Sequence, residues 1–154
     1  MATPNGRPSI HHVAFMVRPE NFEATTERMA KLLNLKFEGP YDLADLGTKV
    51  VVDYGAGIEF ITVTDPTIAT AQAAFLEERG EGFYRLVFGV DDLESSLDRA
   101  AEDGIGILYR YDGLTVDPEW KNRFSKIDEA ILEDPSPGVR ICLGQFDEHP
   151  TTSN

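Results

Sequence analysis

The sequence predicts an α+β fold made of two βαβββ modules, joined as one curved mixed sheet around a central cavity. Three observations carry this. The order of apolar strand-like runs and one amphipathic segment occurs twice along 154 residues. The helical spacing is the same in both copies: Phe22, Thr26, Met29 and Leu33 in the first, Leu93, Leu97, Ala100 and Gly104 in the second. A shift of 73 residues places His12 on Arg85, Phe15 on Phe88 and Val17 on Val90. One such module could not cover both faces of its own sheet. Pairing two leaves helices outside and a concave face between, where a ligand site is expected.

Residues 1–8 are polar, carry two prolines and read as a flexible leader. Ile10–Val17 is rich in β-formers and opens the first module as a strand. Pro19 sits where a first helical turn accepts proline, ahead of the helix from Phe22. Phe37–Tyr41, Lys49–Tyr54 and Ile58–Val63 complete the module, with Gly47, Gly55 and Gly57 marking the turns. Residues 65–82 form a linker, within which Ala69–Arg79 has the length of one short helix.

The second module runs over residues 83–146, as the first runs over 9–64. Phe83–Val90 is its first strand, and Asp91 or Asp92 caps its helix. Ile105–Tyr111, Ile127–Glu133 and Val139–Phe146 are its remaining strands. Residues 113–126 break the pattern and look inserted. Their Trp120 and Phe124 suit a lid over the cavity mouth or a dimer contact. Residues 147–154 read as a frayed polar tail.

Composition narrows the function. Apolar residues make up 42% and charged residues 27%, an ordinary globular balance. The net charge of −13 and the lack of a basic stripe argue against nucleic acid and against anionic membrane surfaces. Cys142 is the single cysteine, so no intrachain disulfide forms. No apolar run approaches the roughly 20 residues of a membrane span. A cytoplasmic protein is expected. No Walker, Gly-x-Ser-x-Gly or HExxH pattern occurs.

The stretch RGEGFYRLVFGVDDL at 79–93 resembles the RGEGxHHIAFxVDDI pattern common in epimerase-like members of the vicinal oxygen chelate superfamily. That superfamily also includes glyoxalase I, extradiol dioxygenases and bleomycin-resistance proteins. IHHVAFMV at 10–17 looks like its histidine-bearing first strand, and GIEFI at 57–61 like its glutamate-bearing strand. The resemblance covers residues 9–146 and implies a four-ligand divalent-metal site drawn from both modules. His12 and Glu59 match the first pair of positions. Arg85 and Cys142 stand at the second pair, where histidine and glutamate are usual. Arginine has no lone pair to give, and a thiol beside a permanent cation makes a poor metal site. Neither is taken as a ligand, so no metal is expected; if one is present, His12 and Glu59 hold it.

Without a metal, Arg85 would supply the positive charge and grip an anionic oxygen through its planar fork. Glu59 and His12 would move protons. Such a trio suits proton transfer or elimination beside a carbonyl, and the expected function is a small-molecule lyase or isomerase. A buried structural pair of Glu59 and Arg85 is the plain reading of the same residues. Cys142 is a small buried residue or a nucleophile activated by Arg85. Arg140, Cys142, Tyr109 and Trp120 are candidate substrate contacts beside Arg85, while Tyr109 and Tyr111 share a face. His11 should face away from His12, on the helix side or at an interface, and His149 should be solvated. The alternatives are a non-catalytic binding or resistance protein, and a metal-dependent epimerase or dioxygenase with altered ligands. A homodimer is expected, because an open sheet leaves edges to cover.

Overall fold

The structure, a computed structural model, describes residues 6–150. Residues 1–5 of the expected leader and 151–154 of the expected tail lie outside the described residues. Two compact units follow from the chain's own contacts: His12–Tyr84, and the residues through His11 together with those from Arg85 onward.

The first unit contains most of β1 (Ser9–Met16), then α1 (Phe22–Leu33), β2 (Glu38–Leu43), β3 (Thr48–Asp53), β4 (Ile58–Val63) and α2 (Thr70–Arg79). Its strands lie in the order β2-β3-β4-β1, with β1 parallel to β4 and the other pairs antiparallel. Pro19 opens a single 3₁₀ turn before α1, and Asn34 ends α1 in the left-handed conformation. Phe22 and Met29 of α1 pack on Phe15, Val17, Val51 and Phe60. That accounts for one sheet face. Leu33, the last residue of the expected apolar stripe, is exposed.

Because strand side chains alternate, the other face carries His12, Ala14 and Met16 from β1 and Glu59 and Ile61 from β4. The helix expected at Ala69–Arg79 is α2, and its Leu76 covers the Met16 end of this face with Val63 and Tyr84. The turn before β3 needs Gly47. It lies at φ 64°, and a Cβ there would fall 2.6 Å from the Asp65 carbonyl oxygen.

The second unit holds β5 (Gly82–Gly89) from Arg85 onward, α3 (Leu93–Glu102), β6 (Ile107–Asp112), β7 (Phe124–Leu132) and β8 (Ile141–Glu148). Its order is β5-β8-β7-β6, with β5 parallel to β8 and the rest antiparallel. Asp92, not Asp91, caps α3: its carboxylate accepts from the Ser95 N–H at 3.1 Å. Leu93 and Leu97 then pack on Ala130, Leu132, Ile141 and Leu143. The face that α3 leaves uncovered carries Arg85 and Val87 of β5, Cys142, Gly144 and Phe146 of β8, Ile127, Glu129 and Ile131 of β7, and Tyr109 and Tyr111 of β6.

The shared architecture is therefore α+β, with the βαβββ order in both modules. The register repeats as well. Ala14 pairs with Glu59 in the first module and Val87, 73 positions on, pairs with Cys142 in the second.

Some boundaries differ from the sequence reading. Residues 113–126 hold two short 3₁₀ turns, Gly113–Thr115 and Pro118–Asn122, each capped by an aspartate side chain, Asp112 and Asp117. The strand expected from Ile127 begins at Phe124, which is buried. The expected tail also starts too early. Asp147 and Glu148 belong to β8, because Lys126 and Phe124 of β7 continue to pair with them.

Candidate functional site

The first module brings His12 and Glu59 together. They sit on neighbouring parallel strands and on the same face, the one α1 does not cover. His12 Nε2 lies 3.7 Å from Glu59 Oε2. The His12 side chain is 2% exposed and that of Glu59 15% exposed. The Tyr54 ring meets the imidazole edge-on, with centroids 5.9 Å apart. The sequence produces this by placing His12 two residues before Ala14, whose partner is Glu59. One buried ring that titrates near neutrality beside one half-buried carboxyl is a proton-exchanging pair.

The second module has different chemistry at the corresponding positions. Arg85 is buried, and its Nη1 donates to the Ile141 carbonyl at 2.8 Å. Arg140 lies just before β8, with its carbonyl accepting the Leu86 N–H. Cys142 is buried on the same face as Arg85. Its thiol points to Glu129, with Sγ 3.6 Å from Oε2. A carboxyl group as the neighbour works against a thiolate, so this placement does not favour the activated nucleophile expected beside Arg85.

Glu129 is the residue sequence reasoning missed. It is 5% exposed, on β7, opposite Gly144 of β8. Burial pushes its pKa up to about 7, against hydrogen bonds from Tyr111 and Cys142 that favour the charged form; the nearby Asp128 charge adds to the rise. Gly144 makes the room. A Cβ there would fall 2.3 Å from Phe146 Cε2 and 3.3 Å from Glu129 Cγ. A signal existed in the sequence: Ile127, Glu129 and Ile131 alternate onto one strand face, with two apolar neighbours around the carboxylate.

Tyr109 and Tyr111 do share a face, with ring centroids 6.0 Å apart, and Tyr109 is the more exposed of the two. Trp120 is buried within the second 3₁₀ turn of the insertion. The helix-side position expected for His11 is not found. Its ring stacks on Phe146 at 3.6 Å, on the face opposite α3. Burial, supported by nearby positive charge including Arg123, lowers the His11 pKa to about 4, so the ring is neutral at pH 7. His149 is exposed as expected, and its Nε2 is 2.9 Å from the Lys121 carbonyl.

Comparison with known proteins identifies the family. A model of the glyoxalase/bleomycin resistance protein/dioxygenase superfamily matches residues 11–113, more than half of the chain. The chain belongs to this superfamily. Solved structures agree on the fold. A hypothetical protein of Bacillus halodurans C-125 superposes with a TM-score of 0.69 at 20% identity, covering 96% of this chain and 99% of that one. Methylmalonyl-CoA epimerase from Mycobacterium tuberculosis gives 0.66 at 20% identity, covering 92% and 88%. A variant of 4-hydroxymandelate synthase from Streptomyces coelicolor gives 0.65 at 20% identity, covering 96% of this chain and 51% of that one. No curated protein matches the sequence.

Members of the superfamily often use a divalent metal. The donor set here fits one poorly. His12 and Glu59 are two competent donors, whereas metal sites in proteins usually take at least three. Among the described residues no group of three histidine, cysteine, aspartate or glutamate side chains is arranged to hold an ion. Arg85 occupies a ligand position of the superfamily and cannot ligate. No step below runs through a metal. Among the described residues no helix is long and apolar enough to cross a membrane.

Proposed function

We propose that the protein is a small-molecule lyase or isomerase that moves a proton at a carbon beside a carbonyl. The observation that carries this is the His12–Glu59 pair, 3.7 Å apart and little exposed on a sheet face that α1 leaves open. A base next to a carbonyl carbon must hold a proton reversibly near neutral pH. Glu59 takes the proton and His12, in contact with it, returns or exchanges it. The superfamily neighbours include an epimerase, whose name describes inversion at one carbon, and that supports the same class of step.

Arg85 keeps the anion-holding part in this proposal on its chemistry: it is buried, permanently charged and anchored by one of its two Nη atoms. Arg140, Cys142, Tyr109 and Trp120 remain proposed contacts. The homodimer and the cytoplasmic location belong to the same proposal, and light scattering on the purified protein reads the first directly.

Solvent exchange tests the reaction. The protein is incubated in D₂O with pyruvate or methylmalonyl-CoA, and loss of the C–H signal beside the carbonyl is followed by proton NMR. Catalysed exchange is expected. Glu59→Gln should slow it by about 10²–10⁴-fold, the usual worth of a general base. Equal rates in wild type and Glu59→Gln sink the proposal. Binding of either compound without any exchange would instead support the binding-protein reading.

A further inference from the structure

Glu129 plays no part in the reading above, yet it is the most buried carboxyl described and is embedded in a reactive set of neighbours. Tyr111 reaches it from β6 and Cys142 from β8, while Gly144 across the strand brings no side chain. Asp128, next to it on β7, is the remaining charge that acts on it. Tyr111 also lines an open groove of roughly 390 Å³, together with Ile127, Arg110, Asp112, Lys126 and Asp128. So one phenol connects a solvent-facing groove to a buried carboxyl.

The charges of the groove are already matched. Arg110 Nε and Nη2 donate to the two Asp128 oxygens at 2.9 and 2.7 Å. Lys126 Nζ lies 4.0 Å from Asp128, and Asp112 Oδ1 accepts from the Leu114 N–H. An ionic ligand would have to compete with these pairs, whereas an uncharged one would not.

We propose that Tyr111, Glu129 and Cys142 form a second acid–base centre, which serves a small uncharged molecule with an acidic C–H beside a carbonyl, bound in the groove at Tyr111. It rests on the acid–base reading of the first module only for the class of reaction. The ligand's C–H proton passes to the Tyr111 oxygen while the Tyr111 proton passes to the Glu129 carboxylate. The C–H electron pair stays on the ligand as an enolate, whose charge falls in a groove lined by Arg110 and Lys126. The ligand loses one proton and Glu129 gains one; reversal returns it to either face of the carbon. Cys142 is a positioning residue, holding the carboxyl through its thiol. Half-ionisation near neutral pH suits a group that must both take and give.

Hydroxyacetone in D₂O is the probe. Wild-type protein should accelerate exchange at its carbons, and Glu129→Gln and Tyr111→Phe should each slow that exchange at least 10-fold while melting cooperatively. The wild-type rate should inflect with pH near 7, and Cys142→Ala, which removes one donor to the carboxylate, should move the inflection upward. Unchanged exchange in Glu129→Gln, an inflection unmoved in Cys142→Ala, or no exchange by wild type each overturns the proposal. The two centres are separable. Exchange of hydroxyacetone that survives Glu59→Gln but not Glu129→Gln keeps this centre even where the first fails. The opposite pattern keeps the first and removes this one.

Discussion

The two modules repeat one backbone register and diverge in chemistry at each polar position. Where β4 of the first carries Glu59, β8 of the second carries Cys142, and where β1 carries His12, β5 carries Arg85. Two residues further along, Ile61 of β4 faces Val50 of β3, while Gly144 of β8 faces Glu129 of β7. The first module therefore packs two apolar side chains where the second has none on one strand and a carboxyl on the other. A buried carboxyl is present in the second module, but it arrives from the neighbouring strand and stands beside the thiol. The repeat constrains the ladder and the helix-covered face, because those bury the apolar surface that holds each module. It does not constrain which strand supplies an acid.

The largest expected difference is catalytic. Glu59→Gln should reduce carbonyl-adjacent exchange of pyruvate or methylmalonyl-CoA by about 10²–10⁴-fold, whereas Cys142→Ser, at the matching register position, should change it less than about threefold. NMR rates on both variants read the contrast. A Cys142→Ser loss as large as that of Glu59→Gln would mean the modules are chemically equivalent after all.

The next effect is on stability, and it belongs to the second module. Glu129 titrates near 7 in the folded chain and near 4.5 when exposed. Between these values the folded state binds more protons than the unfolded one. Stability is therefore highest below about 4.5 and is lost as pH rises through 7, by about 3 kcal/mol for a shift of this size. His11 acts oppositely. Its pKa is lowered from 6.5 to about 4, so the unfolded state binds more protons there and stability is lost as pH falls from 6.5 toward 4. Urea midpoints across pH 4–8 should show the two slopes partly cancelling between 4.5 and 6.5. Glu129→Gln should remove the loss above pH 6.5 and uncover the His11 slope below it. A Glu129→Gln profile that matches wild type would mean that the carboxyl is not held out of water.

Packing comes third. Gly144→Ala should destabilise by about 2 kcal/mol, because its Cβ would overlap Phe146, whose ring is itself held against His11. Glu129 Cγ blocks the other side. In the first module the matching change runs the other way. Ile61→Ala leaves a gap beside Met16 and Tyr84, and should also cost about 2 kcal/mol through lost contacts. Thermal melts of the pair test whether overpacking and underpacking mark the same position in the two copies. A Gly144→Ala variant as stable as wild type would mean Phe146 and His11 repack freely.

The parts of this contrast that were legible in the sequence are those set by near neighbours. Alternation and turn residues mark the strands, the spacing of Phe22 to Met29 and of Leu93 to Ala100 marks the helices, and the 73-residue shift already aligns His12 with Arg85. Glu59 and Cys142 follow because strand order repeats. Glu129 was not legible as a site residue. Its burial depends on Gly144, 15 positions away, leaving space across the ladder. The His11 stack was not legible either, since Phe146 lies at the far end of the chain. Nor was the start of β7 at Phe124, because the insertion supplies its own short turns around a buried Trp120.

The smallest predicted difference concerns how the two helices begin. Asp92 caps α3 with its carboxylate on the Ser95 N–H and also accepts from the Ser95 hydroxyl at 2.7 Å. These bonds hold its pKa below the ordinary aspartate value. The residue before α1, Asn21, makes no such cap. Its Nδ2 donates to Glu81 at 2.8 Å, and a proline-led 3₁₀ turn precedes the helix instead. Asp92→Ala should therefore cost about 1 kcal/mol, the usual worth of a side-chain cap. Asn21→Ala should cost less, because it removes one exposed hydrogen bond and leaves α1 with its turn intact. Urea denaturation of the two variants at pH 7 reads the difference. Equal losses would show that α1 depends on Asn21 through Glu81 as much as α3 depends on its own cap. The two helices would then be anchored to their sheets with equal strength by different bonds.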